Sequence, residues 1–476
     1  MRTNKGGSTL SRKTMKELVS IVGKDRLRLD WETRVCYSYD ATNAPVLPDA
    51  VIFPRSAEEV SLILRLANER LFPVIPRGAG SGFTGGAVPV RGGIVLSTEH
   101  MNKIISISQE DLVAVVQPGV ITAEFQRQAA RLGLFYPPDP ASHEFSTLGG
   151  NVAECAGGMR ALKFGVTRDY VLGLEVVLPT GPIIRTGGRT AKNVVGYDLT
   201  RLVVGSEGTL GIVTEITLKL IPLPEARLTA LCFFPTVQAA SMAVTRVLGA
   251  GILPSAMELV DRACLDCVAK AKPVDFPIET GAMLLVEVDG SRQAVEPEIQ
   301  KAADVCRGLG SLEIRLSKDQ REAEELWNLR RSISPALARI RPHRLNEDVV
   351  VPRSRLAEAM ERFRLIGVQF QVPLTTFGHA GDGNIHVNVL YDGSDPQETR
   401  RAHEAAGAVM RTTVELGGSI SGEHGIGLTK ASFLPLELSR ETLELMRSIK
   451  ALLDPKGILN PGKIFPNGIP MRGERV

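Results

Sequence analysis

Two short segments hold most of the side chains that could do chemistry. TFGHAGDGNIHVNVL carries His379 and His386, and GGSISGEHGIG carries Glu423 followed by His424. Asp382 and Gly383 mark a turn between short apolar runs, so the spacing predicts a hairpin across which the two histidines face each other, with Asn388 on the face of His386. With Glu423 the set becomes two imidazoles and one carboxylate. That set suits a divalent transition metal with positions left open for substrate, and the ligand types alone do not choose among Zn, Fe and Mn. By itself a His-x6-His spacing is no metal signature, and satisfied structural histidines would account for it as well.

Glycine suggests a second chemistry. PRGAGSGFTGG, residues 76–86, contains a G-x-G-x-x-G at Gly80, Gly82 and Gly85, but AVPVRGG and another strand follow it, not the helix that a Rossmann fingerprint must open. What remains is either a plain turn-rich loop or a nest of backbone N–H groups that converge on phosphate oxygens because no Cβ blocks them. PPDPASHEFSTLGGNVAECAGG (137–158) and GYDLTRLVVGSEGTLGIVTEITLKL (196–220) add two further glycine-rich stretches. Three on one small domain are hard to explain as turns, whereas an elongated ligand touching backbone at several points needs that much Cβ-free surface. Two other patterns carry nothing. Cys264 and Cys267 form one CxxC without the second pair that a structural zinc or iron–sulfur site requires. GILNPGKI resembles a Walker A loop but has Ile464 where Ser or Thr must bind magnesium.

The elements that must position these residues fall into two textures. SAEEVSLILRLANER opens with the capping box Ser56–Glu59 and places Val60, Ile63, Leu64 and Ala67 on one helix face. Around it, short apolar runs at 51, 73, 93, 112 and 174 read as strands, and GIVTEITLKLIP (211–222) alternates as a half-buried strand before a linker. Beyond residue 225 strands alternate with helices such as TVQAASMAVTRVL and DRACLDCVAKA, which marks a second, α+β domain. The final segment reads as an amphipathic helix stopped at Asp454-Pro455 and followed by a turn.

Composition limits the function classes. With 476 residues, 43% apolar and 23% charged, the chain has the balance of a soluble globular protein of two to three domains. Its 56 Lys+Arg against 53 Asp+Glu leave a net charge of only +3, so no nucleic-acid partner is expected. The N-terminus has no apolar core of the kind a signal peptide needs, and no window approaches the roughly 18 apolar residues of a membrane span. Six cysteines without regular spacing read as reduced thiols in a cytoplasmic protein.

In order and spacing, the three glycine-rich stretches resemble the FAD-binding domain of the vanillyl-alcohol oxidase and p-cresol methylhydroxylase flavoproteins. The resemblance implies an α+β, two-domain FAD-binding fold of the p-cresol methylhydroxylase type with a ferredoxin-like α+β substrate (cap) domain. It divides the chain into a FAD-binding domain (1–222), a substrate and metal domain (223–425) and a C-terminal segment returning to the first (426–476). The first loop, Pro76, Arg77, Gly78, Ala79, Gly80, Ser81 and Gly82, is then where the FAD pyrophosphate sits. Pro140, Ser142, Thr147, Gly150, Asn151 and Gly157 come from the second loop, Gly208 and Ile212 from the third, and Asn460 from the C-terminal turn. Ser81 stands where covalent members often carry a His, so non-covalent FAD is implied.

The second half is similar to a narrower group of FAD-linked D-2-hydroxy-acid dehydrogenases, which includes glycolate oxidase catalytic subunits, D-lactate dehydrogenases and D-2-hydroxyglutarate dehydrogenases. By that likeness His379, His386 and Glu423 are metal ligands and His424 is the general base. LWNLRRSISPAL (326–337) supplies the substrate-carboxylate contacts Arg330 and Ser334, and Arg suits a carboxylate because its fork donates two parallel hydrogen bonds. Local pattern alone would equally make Arg330 and Arg331 a solvated helix face. Where the hydroxyglutarate enzymes have a Lys, this chain reads LNEDVVVP with Asn346, which favours a short monocarboxylate such as D-lactate or glycolate.

The reaction implied is oxidation to the 2-oxo acid with reduction of FAD. Electrons then pass to a separate acceptor: an iron–sulfur subunit, an electron-transfer flavoprotein or quinone. Any attachment to the inner membrane would run through such a partner. D-2-hydroxyglutarate oxidation, phenol oxidation and a non-catalytic binding role are the alternatives. Six tyrosines in the whole chain speak against the second, and the joint presence of His379, His386, Glu423 and His424 against the third.

Overall fold

The structure, a computed structural model, describes residues 10–271 and 275–465. It comprises two compact units. The first is Met1–Ala156, Val166–Leu223 and Glu423–Val476; the second is Gly157–Gly165 and Pro224–Gly422. Of the N-terminal stretch, residues 1–9 lie outside the described residues and Arg12–Val22 is helical. Residues 466–476 of the C-terminal segment also lie outside them. Among the described residues no helix is long and apolar enough to cross a membrane.

In the first unit the strands Ala50–Ile52 and Val74–Arg77 both pair parallel to Ile94–Ser97. The crossover between the first two is the helix Ala57–Arg70, as its period demands. Ser56 Oγ caps it by accepting from Glu59 N at 3.3 Å, and Val60, Ile63, Leu64 and Ala67 are fully buried. Each buried Ile or Leu contributes roughly 1.5–3 kcal/mol, more than any propensity term in the helix. A second sheet, wholly antiparallel, runs Ile104–Ser108, Val113–Val116, Ile212–Lys219, Val171–Val177, Ile183–Gly187. Its strand Ile212–Lys219 alternates as expected, with Ile212, Thr214, Ile216 and Leu218 buried. The returning segment joins this unit at the edge of the parallel sheet, where Val74 N donates to Ile458 O at 2.9 Å and Asn460 N to Val74 O at 2.9 Å.

The second unit is built on a seven-stranded antiparallel sheet. In order, its strands are Glu313–Leu316, Ala226–Phe234, Ala282–Gly290, Ala256–Asp261, Leu374–His379, Asn384–Tyr391 and His343–Val350. The register sets Glu258 opposite His379, Phe377 opposite His386, Asp348 opposite His386 on its other side, and Asn346 opposite Asn388. Cross-strand partners share a face, as do residues two apart, so all of these project from one side of the sheet. The helices Gln320–Arg331 and Ile333–Leu337 cover that side, packing Trp327, Ile333 and Leu337 into one cluster with Phe377 and Val260.

Candidate active site

The hairpin expected from the spacing is present: Leu374–His379 and Asn384–Tyr391 are joined by a tight turn in which Gly383 takes φ +87°. Both histidines are buried, their rings perpendicular with centroids 5.1 Å apart. Their Nε2 atoms face each other at 3.4 Å. His379 Nδ1 lies 2.5 Å from Glu258 Oε1, which places the ring proton on Nδ1 and turns the Nε2 lone pair toward His386. Glu423 completes the group, with one ligand atom from each of the three residues within 4.8 Å of the others. Its backbone follows directly from Gly422, whose N–H is held by Asp348 Oδ2 at 2.8 Å. The donor set fits a divalent ion: two nitrogens each ~2.0–2.1 Å from a tetrahedral metal stand about 3.4 Å apart.

Arg330 is buried, contrary to the solvated-face reading, whereas Arg331 is exposed beside Glu324. Arg330 Nε donates to Glu258 Oε2 at 2.7 Å, and the guanidinium lies 4.4 Å over the Phe377 ring. Its Nη1 and Nη2 amines make no hydrogen bond among the described residues, so the fork is available for a carboxylate. Ser334 is engaged differently, since its Oγ accepts from Arg344 Nη1 at 2.8 Å. Asn346 is half-buried on the sheet face that carries His386 and Asn388.

Sequence reasoning missed Glu258, which is fully buried on the strand Ala256–Asp261. Burial alone would raise its carboxyl, but His379 and Arg330 outweigh that and hold it at about 2, ionised beside both partners. Asp348 was missed as well. Fully buried, it accepts from Gly422 N and from Asn384 Nδ2, and so fixes the turn from which Glu423 leaves.

In the first unit the three glycine-rich loops converge. A Cβ on Gly78 would stand 2.2 Å from Thr147 Oγ1, and one on Gly208 2.5 Å from Pro76 Cγ, so the first loop touches both others. Gly80 and Gly208, at φ +70° and +64°, hold left-handed backbone that other residues adopt only with strain. Nothing lies within 4 Å of a Cβ built on Gly82. Asn460 ties the first and third loops, with Nδ2 donating to Gly86 O at 3.1 Å and to Glu207 O at 2.8 Å. The buried Asn460 Oδ1, Thr84 Oγ1 and Asp40 Oδ2 have no partner among the described residues. Convergent glycine backbone edged by buried polar atoms fits a dinucleotide cofactor.

Other expected contacts have structural duties. Thr147 Oγ1 caps the helix Leu148–Glu154, Asn151 Nδ2 donates to Thr122 Oγ1 at 2.8 Å, and Ile212 buries its side chain in the core. Pro140 O accepts from His143 N and Ser142 O from Ser146 N, so these two shape the second loop through backbone. Gly157 falls in the second unit.

His424 stacks on Phe83 with centroids 5.0 Å apart. Glu207 holds the backbone after it, Oε1 accepting from Ile426 N and Oε2 from Gly427 N, each at 2.7 Å. Nearby, burial and the Glu207 charge push Glu154 well above the carboxylate range, and burial lowers the Lys463 amine to about 8.

Comparison with known proteins agrees with this anatomy. Residues 48–187 match the FAD binding domain family, and residues 223–464 match the C-terminal domain of FAD linked oxidases. The chain is 43% identical over 457 residues to the glycolate oxidase subunit GlcD of Bacillus subtilis, covering 96% of this chain and 97% of that one. It is 39% identical over 434 residues to a D-lactate dehydrogenase of Archaeoglobus fulgidus, covering 90% and 95%. The fold is that of p-cresol methylhydroxylase with substrate bound, at TM-score 0.78 and 19% identity over 95% of this chain and 96% of that one. With its cofactor domain and its C-terminal domain both matched, the chain belongs to the FAD-linked oxidases.

Proposed function

We propose that this protein oxidises a short D-2-hydroxy acid, D-lactate or glycolate, to the 2-oxo acid with reduction of bound FAD. His379, His386 and Glu423 hold a divalent metal, and electrons leave to a separate acceptor. The observation that carries the reading is the pair of buried imidazoles whose Nε2 atoms face each other at 3.4 Å beside Glu423, backed by an ionised Glu258. Relatives named for glycolate and D-lactate chemistry, alike along nearly the whole chain, support the substrate class.

When bound, FAD would supply the hydride acceptor, and a metal on His379, His386 and Glu423 would supply a Lewis acid that favours loss of the 2-hydroxyl proton. The protein's own groups do the rest. The free amines of Arg330 bind the substrate carboxylate, and the ring of Phe377 beneath them excludes water. His424, held by stacking on Phe83 and by the Glu207 clamp on the following backbone, accepts the hydroxyl proton on an imidazole nitrogen. Within the first unit, the loop Pro76–Gly82 would hold the FAD pyrophosphate, and Pro140, Ser142, Thr147, Gly150, Asn151, Gly208, Ile212 and Asn460 would supply further contacts to the cofactor, largely through backbone. Six cysteines that offer no iron–sulfur set, and a glycine motif that does not open a nicotinamide-binding helix, leave the electrons of reduced FAD to another protein or to quinone, and a relative named as a subunit supports that reading. We place the protein in the cytoplasm, with any membrane attachment made by that partner.

The test is anaerobic mixing of the purified protein with D- and L-lactate, glycolate and D-2-hydroxyglutarate while the visible flavin band is followed. D-lactate or glycolate should bleach it and L-lactate should not. A flavin that no 2-hydroxy acid reduces would overturn the proposal.

A further inference from the structure

The metal group and the carboxylate anchor meet in one residue. Glu258 has no exposed surface, and its two oxygens serve different masters: Oε1 takes His379 Nδ1 at 2.5 Å and Oε2 takes Arg330 Nε at 2.7 Å. His379 lies directly opposite it in the sheet, while Arg330 descends from the covering helix Gln320–Arg331. An imidazole whose Nδ1 is committed to a carboxylate presents Nε2 in one orientation as a better donor, and losing such a partner typically weakens metal binding by roughly 10–100-fold. An Arg gripped through Nε can rotate neither about its stem nor off the Phe377 ring, so Nη1 and Nη2 are aimed in advance.

We infer that Glu258 is a shared positioning residue, whose single carboxylate orients the ligand His379 for the metal and Arg330 for the substrate carboxylate. The inference rests on the roles proposed above for His379 and Arg330, and goes beyond them by coupling the two. Both partners are donors at Glu258. Glutamine offers one acceptor oxygen and one amide that is itself a donor, so Glu258→Gln can satisfy only one of them. The same volume is kept, and FAD, bound by the other unit's loops, should remain.

Two readouts separate the arms. In FAD-loaded protein without substrate, metal affinity is measured by competition with a chromogenic chelator. At saturating metal, the concentration dependence of flavin reduction by D-lactate is measured by rapid mixing. Glu258→Gln should weaken metal binding by about 10–100-fold, and at saturating metal should still raise the half-saturating D-lactate concentration by about tenfold or more, as loss of one charge-assisted contact does. Arg330→Lys should show only the second effect. If Glu258→Gln fails to fold, Glu258→Asp, which keeps the charge but is too short to span both partners, must show the same joint loss. Loss of one readout alone, or of neither, overturns the sharing. A wild-type protein that takes up no metal overturns the site reading itself, and with it this inference.

Discussion

Gly78→Ala should loosen FAD binding by an amount the structure sets. The new Cβ would stand 2.2 Å from Thr147 Oγ1, more than an ångström inside van der Waals contact, while Gly150 Cα and N at 3.5 Å would tolerate it. Thr147 Oγ1 cannot retreat freely, because it caps the helix Leu148–Glu154 through Gly150 N at 3.2 Å, a contact worth about 0.5–2 kcal/mol. Overpacking of this kind costs roughly 1–3 kcal/mol. If FAD needs the first and second loops at their present spacing, the strain falls on the bound form and raises the FAD dissociation constant about 5- to 150-fold. The assay is titration of apoprotein with FAD, followed by quenching of flavin fluorescence. Thr147→Ala removes the clashing oxygen, so Gly78→Ala should cost less in that background, and the coupling isolates the contact from any general loss of stability. FAD affinity within twofold of wild type for Gly78→Ala, or an undiminished cost in the Thr147→Ala background, would refute the cradle.

Three further outcomes follow from the same geometry. Acid precipitation should release all the flavin, since Ser81 offers no ring nitrogen for covalent attachment; colour retained on the pellet would contradict this. Glu423→Gln should lose metal affinity, whereas His424→Ala should keep its metal and slow flavin reduction by roughly 10²–10⁴-fold; equal metal loss in both would merge their roles. Because Arg344 is engaged with Ser334 and Asn346 carries no charge, wild-type kcat/KM for D-lactate should exceed that for D-2-hydroxyglutarate by about a hundredfold or more. Asn346→Lys should narrow that gap at least tenfold, and an unchanged ratio would remove Asn346 from substrate selection.

Much of the fold was legible because local pattern and burial agree. The helix Ala57–Arg70 and the strand Ile212–Lys219 bury the residues that their periods of 3.6 and 2 select. The hairpin of His379 and His386 was legible for the same reason, with Asp382-Gly383 at its turn. What local pattern could not carry is partnership across the chain. The capping box is half formed: Glu59 does not return to Ser56 but is gripped by Arg26 at 2.5 and 2.7 Å, 33 residues away. Glu258 lies 121 residues from His379 in a run that reads only as an apolar strand, and sheet order alone brings them together. Arg330 and Arg331 look alike in sequence, and only the sheet beneath the helix buries one and leaves the other in water. Nor does Gly157–Gly165 carry a mark in sequence of its grouping with the second unit.

Oxidation of the hydroxy acid by this flavoprotein should require the metal proposed to sit on His379, His386 and Glu423. The most direct test is to strip the FAD-loaded protein with a chelator, verify that flavin remains and metal does not, and measure anaerobic flavin reduction by D-lactate in rapid mixing. Reduction should slow by about a hundredfold or more and return on adding back one divalent ion per chain. Metal-free protein that reduces its flavin at the original rate would contradict it.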